Sequence, residues 1–197
     1  MTITVTSVLF STPGPGPTGR AEGMERSILL HPLQTSSWAE EVQLTHQAVE
    51  AVNKLCRRPK FMVLCGDMVR ARPPFREGQE RDLKVALRGT DPSIPLVFVS
   101  ENHDLRNTPT PETVAQFCNA WGDDYFSFLV GGLTCTVIPT QLFFGVSACP
   151  DRRDVQEAWL EGQLQKASQG LGITPKQAFH FSFCKDSSLE TRSKYRE

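Results

Sequence analysis

The sequence predicts an α/β fold, and three neighbouring stretches carry that expectation. Phe61-Met62-Val63-Leu64 and Leu96-Val97-Phe98-Val99 are unbroken apolar runs, the pattern of strands covered on both faces. Between them, Glu80 to Leu87 places Leu83 and Leu87 at helical spacing. Strand, loop, helix and strand over this length form a βαβ unit, so the two strands run parallel with a right-handed crossover. Their carboxyl ends then leave from one edge of the sheet, where open α/β folds place ligands.

The remaining elements follow in chain order. Met1 to about Gly23 reads as a tail, because Ser11-Thr12-Pro13-Gly14-Pro15-Gly16-Pro17-Thr18-Gly19 can continue neither helix nor strand. The domain reading is a tail over 1–26, one domain over 27–184 and a polar tail over 185–197. Ser27-Ile28-Leu29-Leu30 is a short strand stopped by His31-Pro32. Ser37 can cap a helix running to Leu55, with Glu40 and Glu41 in its first turn, where the dipole favours anions. Its apolar stripe is Trp38, Val42, Thr45, Val49, Val52 and Cys56, bordered by His46. Pro111 opens another helix, whose inward face is Val114, Phe117, Cys118 and Trp121, and Gly122 ends it. Tyr125–Val130 and Leu133–Ile138 form a hairpin about Gly131-Gly132. Asp151 to Ala167 is helical, with Val155, Trp159 and Leu164 inward. Phe179-His180-Phe181-Ser182-Phe183 alternates with the period of a strand, which puts His180 on the face away from the phenylalanines.

Composition narrows the classes of function. The 197 residues suffice for one domain with a sizeable core, and the net charge of −1 gives no electrostatic footprint for nucleic acid or a membrane surface. No apolar run approaches the roughly 18 residues of a spanning helix. Val5-Thr6-Ser7-Val8-Leu9-Phe10 is short for a signal core and lacks a basic flank, so the expectation is a cytosolic chain. The six cysteines form no C-x-x-C pair, and Cys65 and Cys135 lie inside apolar runs, as buried free thiols do in a reducing compartment.

Chemistry collects at the two strand ends. Asp67 follows Gly66 after the first strand, and Asn102-His103-Asp104 follows the second. Together they offer carboxylate, amide oxygen and imidazole to a divalent metal. A carboxylate can bridge two ions about 3.5–4 Å apart, the spacing of two-metal phosphate chemistry. His103 can protonate a leaving alkoxide, with Asp104 holding its tautomer. Each piece also has a plain reading: Gly-Asp as a turn, and Asn-His-Asp as a helix-capping or Asx-turn cluster.

Gly66-Asp67 and Asn102-His103-Asp104, with Val63–Asp67, Asn107-Thr108-Pro109-Thr110 and Trp121 to Phe128 around them, resemble the calcineurin-like metallophosphoesterases. The resemblance runs from about Trp38 to Ala167. It implies a two-sheet sandwich with helices outside, here partial, with a mostly parallel first sheet and an incomplete second. It also implies a dinuclear centre of Mn, Fe or Zn and a phosphorylated protein as substrate. On the same ground Asp67 is the bridging metal ligand, Asn102 a ligand of the second metal and His103 the transition-state acid. The chain departs from the pattern in three places. The opening aspartate-x-histidine motif is not recognisable, although His31 lies near its place. The glycine before Asn-His-Asp is Glu101, which can serve as an extra carboxylate. The later histidine motifs are missing. A dinuclear site wants roughly four protein ligands per ion. The ligand count therefore points to one weakly held ion. Two functions follow: a metal-dependent serine/threonine phosphatase, or a catalytically impaired relative that binds phosphoproteins or regulates.

Overall fold

A computed structural model describes residues 4–8, 27–30, 37–69, 75–106, 108–130, 133–139, 149–168 and 179–181. It contains two sheets with helices outside. Strands β1 (Thr4–Val8), β2 (Ser27–Leu30), β3 (Phe61–Cys65) and β4 (Leu96–Val99) form the first sheet, in the order β2-β1-β3-β4. Strands β5 (Phe126–Val130), β6 (Leu133–Val137) and β7 (Phe179–Phe181) form the second, in that order. The helices are α1 (Trp38–Asn53), α2 (Arg76–Leu87), the single turn α3 (Asn102–Leu105), α4 (Pro111–Trp121) and α5 (Pro150–Ser168). The polyproline stretch, His31-Pro32, the Gly131-Gly132 turn and the 185–197 tail lie outside the described residues.

The βαβ unit is present, with β3 and β4 parallel and Val63 level with Val97. The rest of the first sheet is antiparallel, since β1 pairs with both β2 and β3 in that sense. The first sheet is therefore mixed, with one parallel pair, where a mostly parallel one was expected. Strand β1 falls inside the segment read as a tail, and it lies between β2 and β3 in the sheet. The proline-glycine run that follows marks where a strand must stop, and it drew the five residues before it into the same irregular reading.

Strand β3 organises the layers through the alternation of its side chains. Phe61 and Val63 face the second sheet, joined by Val97 and Val99 of β4 and by Cys135 and Val137 of β6. Phe61 meets Phe128 edge to face, with ring centroids 5.1 Å apart. Met62 and Leu64 face the helices and pack with Val49, Val52, Leu83, Leu87, Val114, Phe117 and Trp121. Strand β4 lies at the edge of its sheet, so only Val97 and Val99 are fully buried while Leu96 and Phe98 are half-buried.

Helix boundaries follow local chemistry. Ser37 and Glu40 make a capping box at the start of α1, each side chain bonding the other's backbone N–H. Thr110 and Thr113 do the same for α4, with Pro111 at its first position. Gly122, at φ 100°, ends α4 in a conformation that favours glycine. Helix α1 stops at Asn53, which leaves Cys56 exposed beyond the predicted stripe, and His46 is exposed as well. The inward face of α5 is Gln156 and Leu160, and the predicted Val155 is 57% exposed. What fixes α5 is an anchor to the α4–β5 turn. Arg152 donates to both oxygens of buried Asp124 at 2.9 and 3.0 Å, and Tyr125 packs on Trp159.

A buried and an exposed apolar position of this fold differ in what they contribute. Phe61→Ala is expected to cost about 3–5 kcal/mol, because it empties the contact between the sheets. Val155→Ala is expected to cost less than about 0.5 kcal/mol. Chemical denaturation of the two variants measures both, and equal losses would contradict the packing described.

Candidate metal centre

The centre forms where the β3–β4 ladder stops. The last rung is Gly66 N–H donating to Val99 O at 2.7 Å. Beyond it two consecutive residues enter the left-handed region, Gly66 at φ 67° and Asp67 at φ 53°. Glycine takes that conformation freely, and aspartate is one of the few side-chain-bearing residues that tolerate it. Gly66 is also required by space. A β-carbon there would fall on Cβ and Cγ of Glu101, which stands across from it.

At the end of β4 the chain turns at once into α3. Glu101 is its N-cap and is extended, at φ −129°, so this position needs no glycine. Its carboxylate accepts the backbone N–H of His103 at 3.3 Å. Asp104 completes a capping box by accepting the N–H of Glu101 at 2.9 Å. The plain reading of the triplet as a capping cluster is therefore correct for Asp104, with Glu101 as the cap.

Asp104 does more than close the cap. Its Oδ2 also accepts the N–H of Asp67, and its Oδ1 accepts the N–H of Met68, both at 2.9 Å. One carboxylate, 1% exposed, thus holds three backbone donors from the ends of two strands. Asp104 therefore serves the backbone of both strand ends.

Asp67, Glu101 and His103 converge, with one ligand atom of each lying within 4.8 Å of the others. Asp67 and Glu101 are buried and His103 is exposed at the rim. Asp67 Oδ1 is buried and no backbone, amide, hydroxyl or basic side-chain donor reaches it, so a protonated Glu101 carboxyl or a bound cation is what can satisfy this side of the cluster. Burial first, and then the neighbouring Asp67, push the Glu101 carboxyl up to about 7. Burial likewise raises Asp104 to about 6, against the pull of its three backbone donors. Two facing carboxylates and an imidazole fit a divalent cation and provide for one ion.

Of the residues singled out in the sequence, Asp67, expected as a metal ligand, and His103, expected as the acid, both contribute to this cluster. Asn102 opens α3 between the two other groups and is half-buried. Glu101 is the residue that sequence reasoning undervalued. The sequence offered one weak signal for it, an acidic side chain two residues past a buried strand, and none for its closeness to Asp67.

The comparisons with known proteins bear on this centre. Serine/threonine-protein phosphatase CPPED1 of Danio rerio is 64% identical over 134 residues, which are 67% of this chain and 43% of the relative. The mouse and human proteins of that name are 54% and 53% identical over stretches of the same length and coverage. The match thus spans somewhat less than half the length of these curated relatives. No family model matches the sequence. No solved structure matches it.

Two measurements test the geometry. Gly66→Ala is expected to destabilise by more than the roughly 1–2 kcal/mol of the left-handed backbone alone, because it also strikes Glu101. The double variant Gly66→Ala with Glu101→Gly should recover the difference, and strictly additive losses would show the two sites to be independent. The second concerns pH. Both raised carboxyls hold protons to higher pH folded than unfolded, so the folded state binds more protons between about pH 4 and 7. Their contribution to stability therefore falls as pH rises through that window. In chelator, Glu101→Gln should match the wild-type melting temperature below about pH 4.5 and exceed it increasingly from there to about pH 7, with no further gain above. A constant difference would contradict the assignment.

Proposed function

We propose that this chain, a calcineurin-like phosphoesterase relative that matches the CPPED1 phosphatases over two thirds of its length, is a metal-dependent phosphoesterase acting on phosphorylated protein. The observation that supports it most directly is the convergence of Asp67, Glu101 and His103, with a buried Asp67 oxygen that no backbone or basic donor occupies, at the ends of parallel strands.

In this reading Asp67 and Glu101 hold the ion, with the Asn102 amide oxygen as a further, uncharged ligand. An ion of the Mn, Fe or Zn type supplies a bound water of lowered pKa and neutralises charge on the phosphoryl group. Asp67 contributes a buried carboxylate oxygen that no backbone or basic donor occupies, and the proton that Glu101 holds beside it leaves when the ion binds. Glu101 contributes a second charge from the neighbouring strand. His103, on the solvent side, gives its proton to the leaving oxygen. The free thiols of the described cysteines suit a cytosolic setting, and among the described residues no helix is long and apolar enough to cross a membrane.

A second reading has its own observation. The described donor set provides for one ion, whereas two-metal phosphate chemistry uses a pair. A one-ion centre can bind a phosphorylated side chain without turning it over, which would make the chain a phosphoprotein-binding or regulatory module.

Manganese-dependent hydrolysis of an aryl phosphate and a phosphopeptide separates these readings. Turnover that a chelator abolishes and that Asp67→Ala lowers by about 100-fold or more supports the enzyme. Turnover no higher than that of Asp67→Ala, with calorimetric binding of the phosphopeptide retained, supports the binding module.

A further inference from the structure

We infer that Asp104 is a positioning residue for the ion site, setting the spacing between Asp67 and Glu101 by holding the backbone of both strand ends on one carboxylate. The inference rests on the metal-centre reading above. Asp67 and Glu101 leave from different strands, and the ladder that joins those strands ends at Gly66 and Val99. Past that rung, Asp104 receives Asp67 and Met68 from the β3 side and Glu101 from the β4 side. It replaces the missing rungs with a side chain. Two of its three donors are the backbone N–H groups of residues whose carboxylates face the ion position.

The bond to Asp67 also selects that residue's backbone conformation. With φ at 53°, Asp67 occupies a region that side-chain-bearing residues seldom adopt, and the pair of bonds to Asp67 and Met68 spans it. Released from them, Asp67 would return toward the common regions and swing its carboxylate away from Glu101. Asp104 is buried and its oxygens are taken up by the backbone, so it acts on the ion only through the residues it holds.

Calorimetric titration of manganese into the full chain tests this, with wild type, Asp104→Asn and Leu105→Ala compared. Asp104→Asn keeps the shape but turns an N–H₂ toward at least one backbone donor. It should weaken manganese binding by about 10–100-fold. Leu105→Ala removes a fully buried neighbour outside the clamp, and should lower the melting temperature while leaving the affinity within about twofold. Wild-type affinity in folded Asp104→Asn overturns the inference and leaves the metal centre standing. No manganese binding by wild type overturns the metal centre, and the inference with it. Should Asp104→Asn not fold, amide hydrogen exchange on the wild type decides. Slow exchange at Asp67, Met68 and Glu101 in chelator, slower again with manganese, supports the clamp, and unprotected amides overturn it.

Discussion

The ends of two strands are held together here by a single buried carboxylate. Backbone pairing between β3 and β4 stops at Gly66, and a left-handed bend follows at once. Strand ends of that kind ordinarily splay into loops with high freedom. Asp104 prevents this by taking three N–H donors in a site from which water is largely excluded, where charge-assisted bonds are strongest. The arrangement of Asp67, Glu101 and His103 presupposes it.

The scaffold behind that clamp is firm because β3 is buried on both sides. Its alternating residues serve two cores, one against the second sheet and one against the helices. Trp121 closes the helical core over Phe98, and Lys84 lies above the same indole at 5.0 Å. A site built on such a strand inherits its rigidity, while an exposed group such as His103 keeps access to solvent. The acidic pair and the rim histidine thus combine a fixed pair of carboxylates with an open approach.

Much of this was legible in the sequence, and the reasons are local. Unbroken apolar runs ending in Asp67 and in Asn102-His103-Asp104 announce both strands and their functional edge. The starts of α1 and α4 are equally plain in Ser37 with its acidic first turn and in Pro111 at the first helical position. What was not legible depends on tertiary contacts. Strand β1 draws its partners from β2 and β3, and nothing in Thr4–Val8 itself names them. Helix α5 is oriented by the Arg152–Asp124 ion pair, so its buried face is not the one that its apolar residues suggest. Glu101 gained its role from facing Asp67 across two strands, a juxtaposition that spacing along the chain does not reveal.

The contiguity of β3, α2 and β4 has a consequence for the order in which the molecule assembles. These elements are consecutive in the chain, and the crossover between them is short, so their pairing closes a smaller loop than that of β1 with β3 or β6 with β7. Short loops close at lower entropic cost and earlier. Asp67 and Asp104 lie at the two ends of that early unit, and their bond is among its own contacts. The acidic pocket therefore belongs to one local unit of the chain, and opening of the outer strands need not disperse it.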